Sequence, residues 1–330
     1  MSSWARFRYL PLTIERAELG GLVKDVTSTF ARRTTVFHLH GLGHEGVGED
    51  VTYDGDAQLA LQAAGPGVVP AGEHTLASFS ALVGELPGYT PWALESAALD
   101  LALRQAGLPL WRAFDLEPRP VTFVSSSRLD PYAWLALYPG LRFKLDEEPE
   151  WTPELVAGLA ATGAVDVVDL KGHYRGTSVD LDADPALYRL VAEGFPGAWI
   201  EDPWLTPETD AALRGHRDRI TYDGPIHSVA DVEALPFRPR CLNSKPSRFG
   251  SLERLLDFYD YCEEKGIALY GGGQFELGPG RGQIQYLASL FHADAPNDVA
   301  PSGFNAPAPV PGLPQSPLPP APSETGFRFG

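Results

Sequence analysis

The sequence predicts an α/β protein, a (β/α)7β TIM-like barrel carrying an N-terminal α+β capping domain. Three observations lead there. The texture of the chain changes near residue 120, from strands followed by one long helical stretch to a regular beat of strand and helix. Seven short apolar strands follow that change, and alternation of this kind implies parallel βαβ units. Ionisable side chains then recur at the ends of those strands, on the face where a barrel builds its active site.

Taken in order, residues 1–118 form the capping domain. LPLTIERAEL and TTVFHLHGLGHEGVGEDVTYD read as alternating strands with glycine turns, and WALESAALDLALRQA has helical spacing and strong helix formers. Residues 119–294 form the barrel. Its strands are VTFVSS, LRFKLD, VDVVDL, AWIED, RITYD, RCLNSK and IALYGG, separated by helical stretches such as TPELVAGLAA, DPALYRLVAE and SLERLLDFYDYCEEK. A short last strand would complete the set. Residues 295–330 are rich in proline, which continues neither a helix nor a central strand, so an extended segment packed back on the capping domain is expected.

Composition narrows the function. The chain has 330 residues, 44% of them hydrophobic, enough for a large core. A formal net charge of −17 excludes the clustered basic face that a nucleic-acid partner requires. Cys241 and Cys262 alone make neither a disulfide framework nor a four-ligand zinc site. The start, MSSWARFRYL, lacks a signal-peptide core, and nowhere do about 18 apolar residues run uninterrupted. The expectation is a soluble, cytoplasmic protein with a small-molecule partner and no membrane contact, its oligomeric state open to a homo-oligomer.

The strand ends carry the chemistry. Lys144 ends the second strand, Asp169 the third, Glu201 the fourth, Asp223 the fifth and Lys245 the sixth. From 169 the steps to 201, 223 and 245 are 32, 22 and 22 residues, each close to one βα unit. A single such residue is usually a solvated loop residue or a helix cap; five in one structural phase point to a site. Three converging carboxylates repel unless a cation sits among them, and an all-oxygen triad suits Mg2+. Lys144 and Lys245 would face each other across it, and a lysine beside a cation can act as a base. In VDVVDLKG, Lys171 shares a strand face with Asp169. Elsewhere, GLGHEG at 41–46 matches G-x-G-x-x-G but runs into VGEDVTYD rather than a helix, so it reads as a turn. GPGRG at 278–282 opens the helical stretch QIQYLASLF and reads equally as an anion site and as an ordinary helix start.

Several stretches resemble the enolase superfamily, in its muconate-lactonizing-enzyme-like subgroup. EGVGED at 45–50 resembles the G-x-G-E turn of that family's capping domain, and ALESAALDLALRQAGLPLWRAF at 93–114 its capping helix. RFK at 142–144 is similar to a K-x-K strand with arginine first, and IEDP at 200–203 to a fourth-strand glutamate signature. LNSKPSRFGSLERL and YGGGQFELGPGRGQIQYLASL are similar to the o-succinylbenzoate synthase and N-acylamino acid racemase branch. The resemblance implies that Asp169, Glu201 and Asp223 bind Mg2+, that Lys144 and Lys245 handle the α-proton of a carboxylate substrate, and that the reaction passes through an enediolate. Lys171, Gln274, Glu276 and Arg142 are the implied substrate-binding residues, and the stretch 17–30 is the implied lid. Departures are specific. Lys171 stands where asparagine is usual, Gly224 where glutamate is, and Gln274 and Leu277 alter the glycine-rich signature. The implied activity is racemisation or epimerisation of an acylated amino acid or dipeptide, or dehydration of the o-succinylbenzoate synthase type. The alternatives are an aldolase-like barrel with a Schiff-base lysine at 245 or 171, and a catalytically silent carboxylate-binding protein on the same fold.

Overall fold

In the computed structural model, which describes residues 2–26, 30–127, 130–177 and 181–329, the first third of the chain builds five antiparallel strands. They are β1 (Pro11–Ile14), β2 (Arg16–Asp25), β3 (Ala31–Gly41), β4 (His44–Asp50) and β5 (Gly72–Thr75). β2, β3 and β4 form one meander, and β1 pairs with β5. The β3–β4 hairpin closes on Leu42 and Gly43, whose φ of +52° and +75° make the two-residue turn that matches strand twist. GLGHEG is therefore a turn, but EGVGED is not one: it lies in β4. The reason is the helix Thr90–Gln105 above it. A Cβ at Gly46 would stand 2.3 Å from the Ala97 carbonyl oxygen and one at Gly48 2.0 Å from that of Ala93, so only glycine lets the helix lie against the strand. Phe37, Leu39 and Phe79 complete the core beneath it.

The rest of the chain alternates as expected. β6 (Ser125–Ser127), β7 (Phe143–Asp146), β8 (Val165–Asp169), β9 (Trp199–Glu201) and β10 (Ile220–Thr221) form a parallel sheet in sequential order. β11 (Cys241–Ser244) and β12 (Ala268–Gly271) form a second parallel pair. The Asn243 N–H donates to the Tyr222 carbonyl at 3.1 Å across the gap between them. Isolated parallel bridges join Gly272 to Asp298 and Phe123 to Asn297, which sets residues 297–298 between β12 and the chain entering β6. Beyond them the proline-rich segment bridges Val121 through Leu318 and then reaches the capping helix. There the Arg328 Nε donates to Asp100 at 2.8 Å. Cys241 and Cys262 are free and buried. Among the described residues no helix is long and apolar enough to cross a membrane.

Two capping-domain carboxylates join the halves. Glu49, at the end of β4, accepts the N–H groups of Leu277, Gly278 and Gly280 at 2.7, 3.0 and 2.9 Å, where the helix Pro279–Phe291 begins. Glu95 accepts the Leu252 N–H at 2.8 Å at the start of the helix Leu252–Lys265, with the Ser80 hydroxyl at 2.5 Å on its other oxygen. A helix N-terminus has free N–H groups and favours negative charge. The anion position offered by GPGRG is thus filled by the protein itself. Arg32 adds a third tie. It is 0% exposed and donates to the carbonyls of Phe275, Gln274, Val51, Thr52 and Arg33.

Two outcomes follow from this docking. Glu49→Ala leaves buried amides unpaired and should lower stability by about 2–4 kcal/mol in urea unfolding. Burial pushes the Glu95 carboxyl from 4.5 up to about 7, against its hydrogen bonds from Ser80 and Leu252. The folded protein then holds this proton to higher pH than the unfolded chain. Stability from Glu95 is full below pH 4.5 and is lost as pH rises toward 7, by ~3 kcal/mol. Melting curves of Glu95→Gln should accordingly show a flatter dependence between about pH 4.5 and 7.5 than those of the wild type.

Candidate active site

Parallel strands end together, so the side chains that alternate inward at those ends meet. Register pairs Asp169 with Glu201 directly, and both are 0% exposed. Lys144, 1% exposed, reaches both: its ammonium makes a short contact with Glu201 Oε1 and lies 3.2 Å from Asp169 Oδ2. The other Glu201 oxygen accepts from the Tyr270 hydroxyl and, at 3.4 Å, from Asn243. Asp223 follows β10 and takes the Lys245 ammonium at 2.7 Å and the Tyr174 hydroxyl at 3.0 Å on Oδ2. Its Oδ1 has no hydrogen bond among the described residues, only the Arg248 guanidinium at 3.4 Å. Lys171 wraps around Asp169. Its N–H donates to Oδ1 at 3.0 Å, and its ammonium lies 2.5 Å from Oδ2 and 3.0 Å from Asp146.

Burial raises every carboxyl here, and the neighbouring cations decide the outcome. At Asp169 burial is overcome by Lys171 and Lys144, which hold the carboxylate well below its usual range. At Asp223 burial yields to Arg248 and Lys245 in the same way. At Glu201 burial prevails over the pull of Lys144, with Asp169 and Asp223 adding to it, and the carboxyl rises to about 8. For Lys144 burial is outweighed by Glu201 and Asp169, so its ammonium is held charged.

Oxygens of Asp169, Glu201 and Asp202 lie within 4.8 Å of one another, all buried. This all-oxygen triad fits a hard divalent cation such as Mg2+. Asp202 replaces the expected Asp223 in the close group. Strand alternation turns a residue after Glu201 away from the mouth, but Asp202 has φ +52° and folds back. Its two oxygens accept the N–H groups of Asp223 and Gly224, each at 2.7 Å. Gly224 has its own reason: a Cβ there would stand 3.0 Å from both Asp202 Oδ2 and the His173 Cβ.

The remaining sequence-derived residues divide. Arg142 is not brought to the mouth. It precedes β7, so its guanidinium lies beside the start of β8, on Asp166 at 2.6 Å and the Gly163 carbonyl at 3.0 Å. Gln274 and Glu276 lie in the segment after β12. Gln274 Nε2 donates to the Tyr89 hydroxyl at 2.9 Å, while Glu276 accepts the Gln274 N–H at 2.6 Å and pairs with Arg281 at 3.2 Å. From the lid stretch, Lys24 at the end of β2 lies 5.7 Å over the Phe275 ring, and residues 27–29 lie outside the described residues. Tyr270, Asn243, Tyr174 and Arg248 were not expected. Only Arg248, one turn beyond Lys245 in KPSR, left a trace in the sequence, as a cation at helical distance.

Comparison with known proteins bears on this geometry. Family models described as the N-terminal and C-terminal domains of a domain of unknown function (DUF8230) match residues 5–113 and 117–306. An o-succinylbenzoate synthase of Bacillus subtilis (strain 168) is 36% identical over 85 residues, 25% of this chain and 23% of that protein. An N-succinylamino acid racemase of Amycolatopsis sp is 28% identical over 256 residues, 72% of this chain and 67% of that protein. The aligned stretches thus span from about a quarter to two thirds of these relatives. A dipeptide epimerase of Methylococcus capsulatus, solved with Mg and the dipeptide L-Arg-D-Lys, superposes with a TM-score of 0.68 at 19% identity, covering 89% of this chain and 92% of that one. The fold is that of the enolase superfamily.

Lys144 is the shared counter-ion of two buried carboxylates, so Lys144→Met should cost about 3–5 kcal/mol in urea unfolding without divalent cations.

Proposed function

The chain belongs to the DUF8230 family, and from that premise we propose that it is an enzyme that removes the α-proton of a carboxylate substrate. The reaction is racemisation or epimerisation of an acylated amino acid or dipeptide, or a dehydration of the o-succinylbenzoate synthase type. One observation carries this reading: two lysines, Lys144 at β7 and Lys245 beyond β11, stand on either side of the buried carboxylates Asp169, Glu201 and Asp223. The named activities of the relatives, a racemase, a synthase and an epimerase, support it.

Asp169 and Glu201 would hold Mg2+. Asp223 is the better third ligand, since its Oδ1 is buried without a hydrogen bond while both Asp202 oxygens are committed to backbone amides. When bound, the ion supplies fixed positive charge beside the substrate carboxylate, where negative charge develops. Asp202 holds the Asp223 backbone in place. Tyr270 and Asn243 fix the Glu201 carboxylate. One lysine takes the α-proton and the other returns it from the opposite face, which inverts the centre; if the second lysine only attracts charge, elimination results. Gln274 and the segment after β12 would read the distal part of the substrate, beneath Lys24 of the capping domain.

The test is exchange in D2O across a library of N-acylamino acids and dipeptides. The wild type should wash deuterium into the α-position of a substrate, and Lys144→Ala and Lys245→Ala should each lose exchange from one face. Full exchange in both variants would overturn the assignment.

A further inference from the structure

Asp169 carries two ammonium groups on a single oxygen. Lys144 lies 3.2 Å from Oδ2 and Lys171 2.5 Å from the same atom. A divalent cation arriving at this carboxylate would add two charges to two already there, so one ammonium must withdraw. The two lysines differ in their freedom to do so. Lys144 is 1% exposed and is held between Asp169 and Glu201. The Lys171 side chain is 13% exposed at the rim, and its ammonium already touches a second carboxylate, Asp146, at 3.0 Å. Asp146 is itself 15% exposed and ends the neighbouring strand β7.

We propose that Lys171 is an internal competitor for the cation site, occupying Asp169 in the free protein and passing to Asp146 when a divalent cation binds. This rests on the metal reading above and adds to it a control on when the metal loads. The movement is short, because the ammonium pivots between two acceptors it already contacts. The backbone is built for the arrangement. Lys171 has φ +51°, which directs both its N–H and its ammonium onto one carboxylate. Displacing it leaves a cation at the rim of the mouth, where a substrate carboxylate arrives.

The experiment is calorimetric titration of Mg2+ into the full metal-free chain, with melting temperatures recorded alongside. Lys171→Asn should bind Mg2+ at least about tenfold more tightly than the wild type. Asparagine tolerates φ above zero, so this variant should keep the fold. Without divalent cation it should melt below the wild type, because Asp169 loses one of its two ammonium partners, and Mg2+ should raise its melting temperature more than that of the wild type. Asp146→Asn should bind at least about threefold more weakly, because Lys171 then loses the carboxylate to which it would withdraw. In the Lys171→Asn background the Asp146→Asn change should alter affinity by less than about twofold, which separates the competitor from a general charge effect. Wild-type affinity in both single variants, with Glu201→Gln still abolishing binding, would overturn the role of Lys171 and leave the metal reading standing. No saturable binding in any variant, Lys171→Asn included, would overturn both.

Discussion

A barrel helix that follows its strand begins at the mouth, and its first N–H groups face the space where the capping domain must sit. Glu49 and Glu95 answer that geometry from two different elements, one a strand end and the other the middle of a helix. Across the junction each carboxylate meets the backbone N–H groups of a helix start rather than a side chain of the other half. With the Arg32 tie, these contacts hold the capping domain on the segments that follow the strands. They fix β4 and the helix Thr90–Gln105 against the starts of the helices Pro279–Phe291 and Leu252–Lys265. Because the amides are buried, the carboxylates are desolvated as well, and the interface holds only while both sides stay matched.

The mouth beneath obeys a stricter rule. Carboxylates at 0–1% exposure cannot be left beside one another without positive charge. The chain meets this with Lys144, Lys171, Lys245 and Arg248, shared out so that Asp169 and Asp223 each receive two and Glu201 receives one together with two neutral donors. The uneven distribution explains why Asp169 and Asp223 stay ionised while Glu201 is pushed upward. Three non-glycine residues at strand ends, Lys171, Asp202 and Phe275, adopt positive φ, so the backbone there is shaped by these contacts.

Much of this was legible in the sequence, for reasons that can be named. The strand ends were readable because inward side chains recur at a fixed phase of each βα unit, which put Lys144, Asp169, Glu201, Asp223 and Lys245 at one level. What failed to show was whatever departs from regular backbone. Asp202 follows Glu201 and by alternation belongs outside; a single left-handed residue returns it. Arg142 shares a strand phase with Lys144, yet it stands before β7 begins, and its guanidinium pairs with Asp166 near the start of β8. EGVGED reads as a turn from its glycines, whereas those glycines admit a helix. Residues 297–298 sit in a proline-rich stretch and still bridge two strands. Tyr270 and Asn243 look like ordinary strand residues until the fold sets them beside Glu201.

Arg32 carries a consequence for how the molecule moves. Its guanidinium is fully enclosed and spends all five donated hydrogen bonds on main-chain carbonyls, three of them in the capping domain and two, at Gln274 and Phe275, in the segment after β12. Tilting the capping domain away as a whole would strip a buried cation of two acceptors at once and offer it nothing in return. The capping domain and the β12 segment therefore travel as one rigid shell. Lys24 of β2 lies over the Phe275 ring and Leu22 against Gly278, so the β2 strand borders the same segment that Arg32 holds.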